Sequence, residues 1–176
     1  MKKFCITILV FAIIILSGIG LDLSSKQTNV EYLRIHIRAN SNDDIDQTVK
    51  YKVKDAVVRY LTPFIAECKT KADAQKMLQE RLAEITAVAD NVLRQNGFDY
   101  GSNSLIKREE FPTRVYGELE LENGFYDALI VELGSGEGDN WWCVVYPPLC
   151  FTGEGVGYVY KSKIKDVIDD FFKKEK

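Results

Sequence analysis

The amino-acid sequence predicts an α+β domain, with an antiparallel or mixed sheet of about 4–5 strands packed against two long helices and a further C-terminal helix. Three observations lead to this fold class. Residues 31–39 have the alternating pattern of a strand, and residues 45–96 have helical spacing in two stretches. Strand-like stretches then occupy residues 100–146. Strands that lie mostly after the helices favour an α+β domain over alternating β and α units.

The composition indicates a single globular domain. The chain has 176 residues, of which 46% are hydrophobic and 28% charged, so it can bury a core without metal or disulfide support. Its net charge is −3, and no cluster of lysines and arginines is interleaved with aromatic residues. Both features argue against binding to nucleic acid.

The N-terminus has the pattern of an export signal. Residues 1–3 are positively charged, and residues 4–16 are apolar apart from one threonine. Small residues among 17–20 offer cleavage positions, whereas the full apolar stretch of about 18 residues is near the minimum for crossing a bilayer. We therefore expect residues 1–25 to be a cleaved signal peptide or a retained membrane anchor, and residues 26–176 to form one exported domain.

Export would place the cysteines in an oxidising compartment, where disulfides form. Cys5 lies in the export signal, so the domain itself has Cys68, Cys143 and Cys150. The near pair Cys143 and Cys150 is the favoured disulfide, which leaves Cys68 free or buried as a small hydrophobic residue. The spacing of these cysteines and His36 matches no zinc motif, and we predict no metal site.

Residues 31–39 alternate between polar and apolar side chains, which predicts a strand with one buried and one exposed face. His36 falls on the polar side, between Arg34 and Arg38. We therefore expect a surface histidine, and the chain has no second histidine to share a catalytic role.

Two helices are predicted after this strand. The turn Asn40-Ser41-Asn42-Asp43-Asp44 is rich in side-chain acceptors and suits a helix cap. Apolar spacing predicts the first helix over residues 45–61, ended by Thr62-Pro63. A second helix begins with a capping-box pattern at residues 70–73 and ends at Asn96-Gly97.

Strand patterns follow the helices. Residues 100–107 are a weak candidate, and residues 113–121 alternate clearly and lead through the hairpin signal Asn123-Gly124 to residues 126–133. The glycine-rich residues 134–139 lack a basic residue and a following helix. We interpret them as a flexible loop and not as a nucleotide-binding loop.

The last helix is predicted to begin at Ser162, which suits a cap. Its apolar residues lie on one side, and its polar side mixes acids with lysines. This mixture favours packing onto the domain over binding to a membrane surface.

Residues 140–151 contain both tryptophans, two of the four cysteines and two of the four prolines. The aromatic and β-branched residues from Trp142 to Tyr146 predict a short strand. Pro147-Pro148 must end this strand, because neither residue has an N–H donor. A bridge between Cys143 and Cys150 would make residues 140–151 a rigid, aromatic-rich segment, referred to below as the knuckle.

The sequence shows no assembled active site. The adjacent carboxylates Glu109-Glu110 and Asp169-Asp170 point apart in a strand or helix, so they do not indicate shared-proton chemistry. Six residues separate Cys143 from Cys150, unlike the two of a redox C-x-x-C motif. We therefore predict no catalytic residues and no cofactor.

Four segments carry a resemblance to a known family. The outer two are Arg38-Ala39-Asn40-Ser41-Asn42 with Asp46-Gln47, Lys50 and Lys52-Val53-Lys54-Asp55-Ala56-Val57, and Asn140-Trp141-Trp142-Cys143-Val144-x-Tyr146-Pro147-Pro148-Leu149-Cys150-Phe151. Between them lie Phe111-Pro112-x-Arg114-x-Tyr116-Gly117 and Gly124-Phe125-Tyr126-x-Ala128-Leu129. Over about residues 30–152, the sequence resembles the stage II sporulation protein R family of endospore-forming bacteria.

The resemblance implies an exported signalling protein and not an enzyme. In that family the protein is made in the forespore and exported into the space between the two sporulation membranes. There it triggers a membrane aspartic protease, which processes the precursor of sigma-E. The expected partner is therefore the extracytoplasmic part of this protease, and a membrane contact would involve only an uncleaved N-terminal segment. The alternative class is an exported enzyme, either a wall-modifying hydrolase or a thiol oxidoreductase.

The expected partner-binding surface combines the knuckle with the turn before the first helix. Asn40, Ser41 and Gln47 have two open roles, helix capping and partner contact. Trp142 is either a core residue or a contact residue, and Trp141 must face the other side of the strand. The candidate partner-binding residues are Asn40, Ser41, Gln47, Asn140, Trp141, Trp142, Tyr146, Pro147, Pro148 and Leu149.

Overall fold

The computed structural model describes residues 32–117, 119–152 and 158–174, with the side chains of the last segment from residue 163 onward. The predicted export signal in residues 1–25 lies outside the described residues. Within the described ranges, no helix combines the length and the hydropathy needed to cross a membrane.

The described residues form a mixed four-stranded sheet, a separate two-stranded hairpin and four α-helices. The sheet order is β2-β5-β1-β6, with β1 parallel to β5, and with the β1–β6 and β2–β5 pairs antiparallel. This confirms the predicted α+β class with a C-terminal helix. The elements in order along the sequence are β1 (Leu33–Arg38), α1 (Asp44–Ile65), α2 (Lys71–Glu80), α3 (Leu82–Gln95), β2 (Ser102–Phe111), β3 (Arg114–Tyr116), β4 (Leu119–Leu121), β5 (Gly124–Leu133), β6 (Asn140–Tyr146), a 3-10 turn (Leu149–Phe151) and α4 (Tyr158–Lys174).

Strand β1 lies between β5 and β6 and is buried on both faces. Its apolar residues, such as Ile35 and Ile37, pack into the main core with α1, α2 and α3. On the opposite face Arg34 is 0% exposed and His36 is 2% exposed. The prediction of a half-buried strand with a surface histidine was therefore wrong, because aromatic side chains of β2 and β6 contact the polar side of this central strand.

Helix α1 starts near the predicted turn but differs from the prediction at both ends. The side chain of its N-cap residue, Asp43, makes no capping hydrogen bond, and Ile45 is 63% exposed instead of lying in the core. At the other end Pro63 lies inside the helix, which continues to Ile65. The prediction that the helix ends at Thr62-Pro63 was wrong. Proline has a helical φ and removes only one N–H hydrogen bond when it lies in the last turn.

The second predicted helix is divided at Arg81, where φ is −119° and ψ is 14°, into α2 and α3. Both of its predicted ends are confirmed. The N–H of Asp73 donates to the Thr70 hydroxyl at 3.1 Å, and Gly97 adopts the left-handed conformation with φ 81°. The N–H of Phe98 then reaches back to a carbonyl of the last helical turn, which satisfies an otherwise unpaired acceptor.

The strands after the helices pair differently from the predicted hairpin. Residues 113–121 do not form one strand opposite 126–133, because the backbone turns at Gly117, with φ 64°. Strands β3 and β4 therefore pair with each other, while β5 pairs with β2 and β1. The nearly continuous apolar run of β5 suits a position inside the sheet, where both faces are buried.

Helix α4 begins at Tyr158, four residues before the predicted start at Ser162. Its Phe171 ring lies 5.4 Å from the Tyr32 ring and 5.9 Å from the Tyr146 ring, measured between centroids. The helix therefore packs against the domain next to the knuckle, as its mixed polar side predicted.

Candidate functional site

The knuckle is cross-linked and largely packed against the domain. Cys143 and Cys150 are joined by a disulfide, with their Cα atoms 6.4 Å apart. Tyr146 is 4% exposed, and its hydroxyl lies 2.7 Å from the carbonyl oxygen of Lys69. Pro147-Pro148 is buried too. These three candidate partner-binding residues are thus enclosed in the folded protein, whereas Asn140 is exposed and Leu149 is half-buried.

The two tryptophans of the knuckle point to opposite faces of the sheet, and both are half-buried. Trp141 packs against the main core, and the Lys54 ammonium lies 5.8 Å from its ring centroid. Trp142 stacks on His36, with ring centroids 3.7 Å apart, and meets the edge of Phe111 at 4.8 Å. Trp142 was expected to be either a core residue or a contact residue, and it has features of both. Its ring packs against His36 and Phe111, and part of the side chain remains accessible.

The sheet face opposite α1–α3 carries six charged or titratable residues, which we name the charged face: Arg34, His36, Arg38, Lys107, Glu109 and Glu132. His36 Nδ1 lies 3.2 Å from a Glu109 oxygen. Arg38 donates to Glu109 and, at 2.8 Å, to Glu132. This cluster was not predicted from the sequence, because its members come from three strands that are far apart in the sequence. The available signal was the Arg-His-Arg alternation along β1.

Charges on this face are set by burial and pairing. Burial is the largest effect on His36 and lowers its pKa, although the neighbouring Asn140 and Glu109 side chains oppose the change. Burial alone would raise the pKa of Glu109, but the hydrogen bond with His36 and the charge of Arg38 outweigh it and lower the pKa. A neutral His36 that donates its Nδ1–H to an ionised Glu109 accounts for both directions.

Asn40 connects helix α1 to the glycine-rich loop. Its Nδ2 donates to Asp46 at 2.8 Å, and its Oδ1 accepts the Ser135 N–H at 2.9 Å. Asp46 is 5% exposed and also accepts a hydrogen bond from the Tyr100 hydroxyl at 2.5 Å. Asn40 therefore has a structural role in the folded protein, which differs from the predicted helix cap.

The same loop is held by a buried lysine. Lys50 is 2% exposed, and its ammonium donates to Gln47 Oε1 at 2.5 Å and to the Asp139 carbonyl at 2.9 Å. Gln47 in turn donates to the Ser41 carbonyl at 2.9 Å. The N–H of Gly138 donates to the carbonyl of Ala39. The prediction that residues 134–139 form a flexible loop was wrong, because these bonds hold the segment against the start of α1.

Cys68 is buried and is not part of a disulfide. Burial raises the pKa of its thiol to about 11, so the thiol is protonated at neutral pH. Cys143 and Cys150 are bonded to each other, so neither has a thiolate available as a metal ligand. In the described part of the protein, no group of three or more His, Cys, Asp or Glu side chains is arranged to hold a metal ion.

These features define the class of protein, an α+β domain cross-linked at its edge strand, with a charged sheet face beside a half-exposed tryptophan. A sequence model of the Stage II sporulation protein R family matches residues 29–155. The Stage II sporulation protein R of Bacillus subtilis (strain 168) is 31% identical over 174 residues, which covers 93% of this chain and 77% of that protein. The chain belongs to the stage II sporulation protein R family, as its sequence motifs indicated. No solved structure matches it.

Proposed function

We propose that this protein is an exported sporulation signal that activates a membrane aspartic protease, which then processes the precursor of sigma-E. Family membership supports a role in sporulation, and the N-terminal pattern supports export from the forespore into the intermembrane space. In this proposal the protein acts by binding the extracytoplasmic part of the protease and not by catalysis. It is either released after cleavage or held by its N-terminal segment.

The observation that carries the proposal is the exposed part of Trp142 and the residues around it. The ring is held in place by His36, and the Arg114 guanidinium lies 5.8 Å from its centroid. Val115, next to Arg114 on β3, is 63% exposed. Tryptophan and arginine are among the residues that most often dominate binding energy at protein interfaces. The proposed contact surface therefore consists of Asn140, Trp142, Arg114 and Val115.

Reconstitution tests the proposal. The full-length protein, the protease and the sigma precursor are co-expressed in a non-sporulating host, and precursor cleavage is followed by immunoblot. We expect cleavage only when the full-length protein is present and directed across the membrane. Absence of cleavage with all three proteins folded and present would contradict the signalling function.

A matched pair of variants tests the contact surface. Val115→Ser and Ile45→Ser each change an apolar residue that is 63% exposed, the first on the β3–β4 hairpin and the second on α1. We expect Val115→Ser to reduce cleavage and Ile45→Ser to leave it unchanged. Equal cleavage by the two variants would remove the hairpin from the contact surface without affecting the signalling function.

The His36–Glu109 pair is the observation that favours the alternative function, an exported hydrolase. A carboxylate next to a histidine is the usual arrangement of a general base. Full burial of His36 opposes this interpretation, since a general base must reach its substrate. Burial also argues against a thiol oxidoreductase, because Cys143 is 0% exposed. Cell-wall turnover by the purified protein, lost in His36→Phe, would favour the hydrolase.

A further inference from the structure

Arg34 is a buried cation whose hydrogen bonds are incomplete. Its side chain is fully enclosed, and neither Nε nor Nη1 has a hydrogen-bond partner in the described part of the chain. Nη2 donates to the Tyr116 hydroxyl at 2.8 Å. The ion pairs found among the described residues include none with Arg34, whereas Arg38 on the same strand pairs with two glutamates. Among the described residues, no carboxylate is therefore paired with the buried charge of Arg34.

Aromatic rings enclose this guanidinium. Its central carbon lies 4.4 Å from the Phe111 centroid, 4.9 Å from that of Tyr126 and 5.8 Å from that of Tyr116. Such contacts stabilise a cation but do not satisfy its N–H groups, which lie in the plane of the guanidinium. Packing alone does not account for the residue, because a well-packed apolar side chain is often at least as stable as a buried charge.

We propose that Arg34 is the binding site for a carboxylate group of a peptide ligand, either an acidic side chain or the carboxyl terminus. Arginine binds a carboxylate through two parallel N–H groups, and both such pairs in a guanidinium include Nη2. The Tyr116 hydroxyl engages Nη2 but leaves Nε and Nη1 without acceptors, so a carboxylate would supply the acceptor that is absent and compete with Tyr116.

Access depends on the β3–β4 hairpin, which carries Tyr116. Its two three-residue strands pair with each other and belong to a different sheet from β1. A small element of this kind can move without breaking the hydrogen bonds of the main sheet. The site thus consists of Arg34 with Phe111 and Tyr126 around it, and Tyr116 occupies it when no ligand is bound. This inference does not depend on the proposed function.

The test titrates the full-length protein with N-acetyl-glutamate methylamide, which has a side-chain carboxylate, and with N-acetyl-alanine, which has a terminal one. The Nε–H signal of Arg34 is followed by NMR at constant ionic strength. We expect a saturable shift with at least one probe and none with N-acetyl-glutamine methylamide. The probe that binds identifies the source of the carboxylate. The exposed Arg108 provides the control signal.

Two variants separate binding from a structural role. Tyr116→Phe keeps the ring but removes the competing acceptor, so we expect probe affinity to rise about fivefold, the equivalent of about 1 kcal/mol for one hydrogen bond. Tyr51→Phe is the control, because that tyrosine lies on α1, is 51% exposed and is outside the proposed site, so the probe affinity should stay unchanged. Arg34→Met has no Nε–H signal, so probe binding to it is followed by the backbone amide signals of Phe111 and Tyr126. These signals should no longer shift saturably, and the melting temperature should not fall.

Shifts that are linear in probe concentration, or equal at Arg34 and Arg108, would overturn the proposal. So would a Tyr116→Phe variant that folds but binds neither probe. If Arg34→Met does not fold, the Tyr116→Phe titration alone decides between a binding site and a structural arginine.

Discussion

The indole ring of Trp142 stacks on the imidazole ring of His36, with the two planes 24° apart and the centroids 3.7 Å apart. The two residues are direct partners in the β1–β6 register. The histidine of β1 is thus packed against the tryptophan that is central to the proposed contact surface. His36 has a supporting role there that its position in the sequence, between two arginines, did not indicate.

We expect the domain to be less stable at pH 5.5 than at pH 7.5. Burial lowers the pKa of His36 in the folded state, so below about pH 6.5 the unfolded state binds a proton that the folded state does not. The free energy of unfolding is therefore highest above this pH and decreases by up to about 1.4 kcal/mol per pH unit below it, until the folded-state pKa is reached. Urea unfolding at both pH values measures the change.

His36→Phe is the control for this pH dependence. It keeps an aromatic ring against Trp142 but has no titratable group, and the sequence has no other histidine. Arg38 on β1, Glu109 on β2 and Asn140 on β6 surround the position and remain in the variant. A variant that loses stability over the same range as the parent would show that His36 is not the group responsible.

Gly138→Ala should destabilise the domain by about 1–3 kcal/mol or more, because an added Cβ would overlap the backbone carbonyl of Ser41. Relief of this overlap requires the 134–139 loop to move away from α1. Gly101→Ala is the matched control, since its Cβ would lie 3.5 Å from the nearest atom, on Asp90, an ordinary contact. Urea unfolding of both variants tests the prediction, which fails if they are equally stable.

Tyr100→Phe should lower stability at pH 7 by about 1–3 kcal/mol, because it removes a donor from a buried carboxylate. Burial alone would raise the pKa of Asp46, but hydrogen bonds from Tyr100, Ser41 and Asn40 outweigh it and hold the pKa below its usual value. The ionised Asp46 thus stabilises the fold above about pH 4, and this contribution is lost as the pH falls through the folded-state pKa.

In the Tyr100→Phe variant the pKa of Asp46 rises, so the loss of stability on acidification should begin at a higher pH than in the parent protein. Acid titration monitored by circular dichroism measures the midpoint. Tyr51→Phe, at a tyrosine that is 51% exposed, should leave both the midpoint and the neutral-pH stability unchanged. Identical acid midpoints for the two variants would contradict the role of Tyr100.

Reduction of the Cys143–Cys150 disulfide should cost about 2–3 kcal/mol, the value for closing a loop of this short length in the unfolded state. Urea unfolding with and without dithiothreitol gives the difference. The double variant Cys143→Ser, Cys150→Ser should not respond to the reductant. Cys68→Ala should respond as the parent does, and a loss of the response in Cys68→Ala would show that the bridge involves Cys68.

Several features of this protein follow from its sequence alone, because they depend on residues close together in the sequence. The capping box at Thr70 and the left-handed glycine at Gly97 are examples, since each requires a residue type at a fixed position in a helix end. The fold class and the family also follow, because periodicity and motifs are local patterns. Strand β6 ends at Tyr146 for a local reason too, because the next residue, Pro147, has no N–H donor.

Only the tertiary structure decided which residues form the charged face and what holds the 134–139 loop. His36 and Glu109 are 73 residues apart, and Asn40 and Ser135 are 95 residues apart, so neither contact has a local signal. The polar side of β1 is buried because this strand pairs on both edges, and sheet order is set by long-range pairing that alternation within one strand does not encode. Arg34 and His36 thus became interior residues through the position of β1 and not through its sequence pattern.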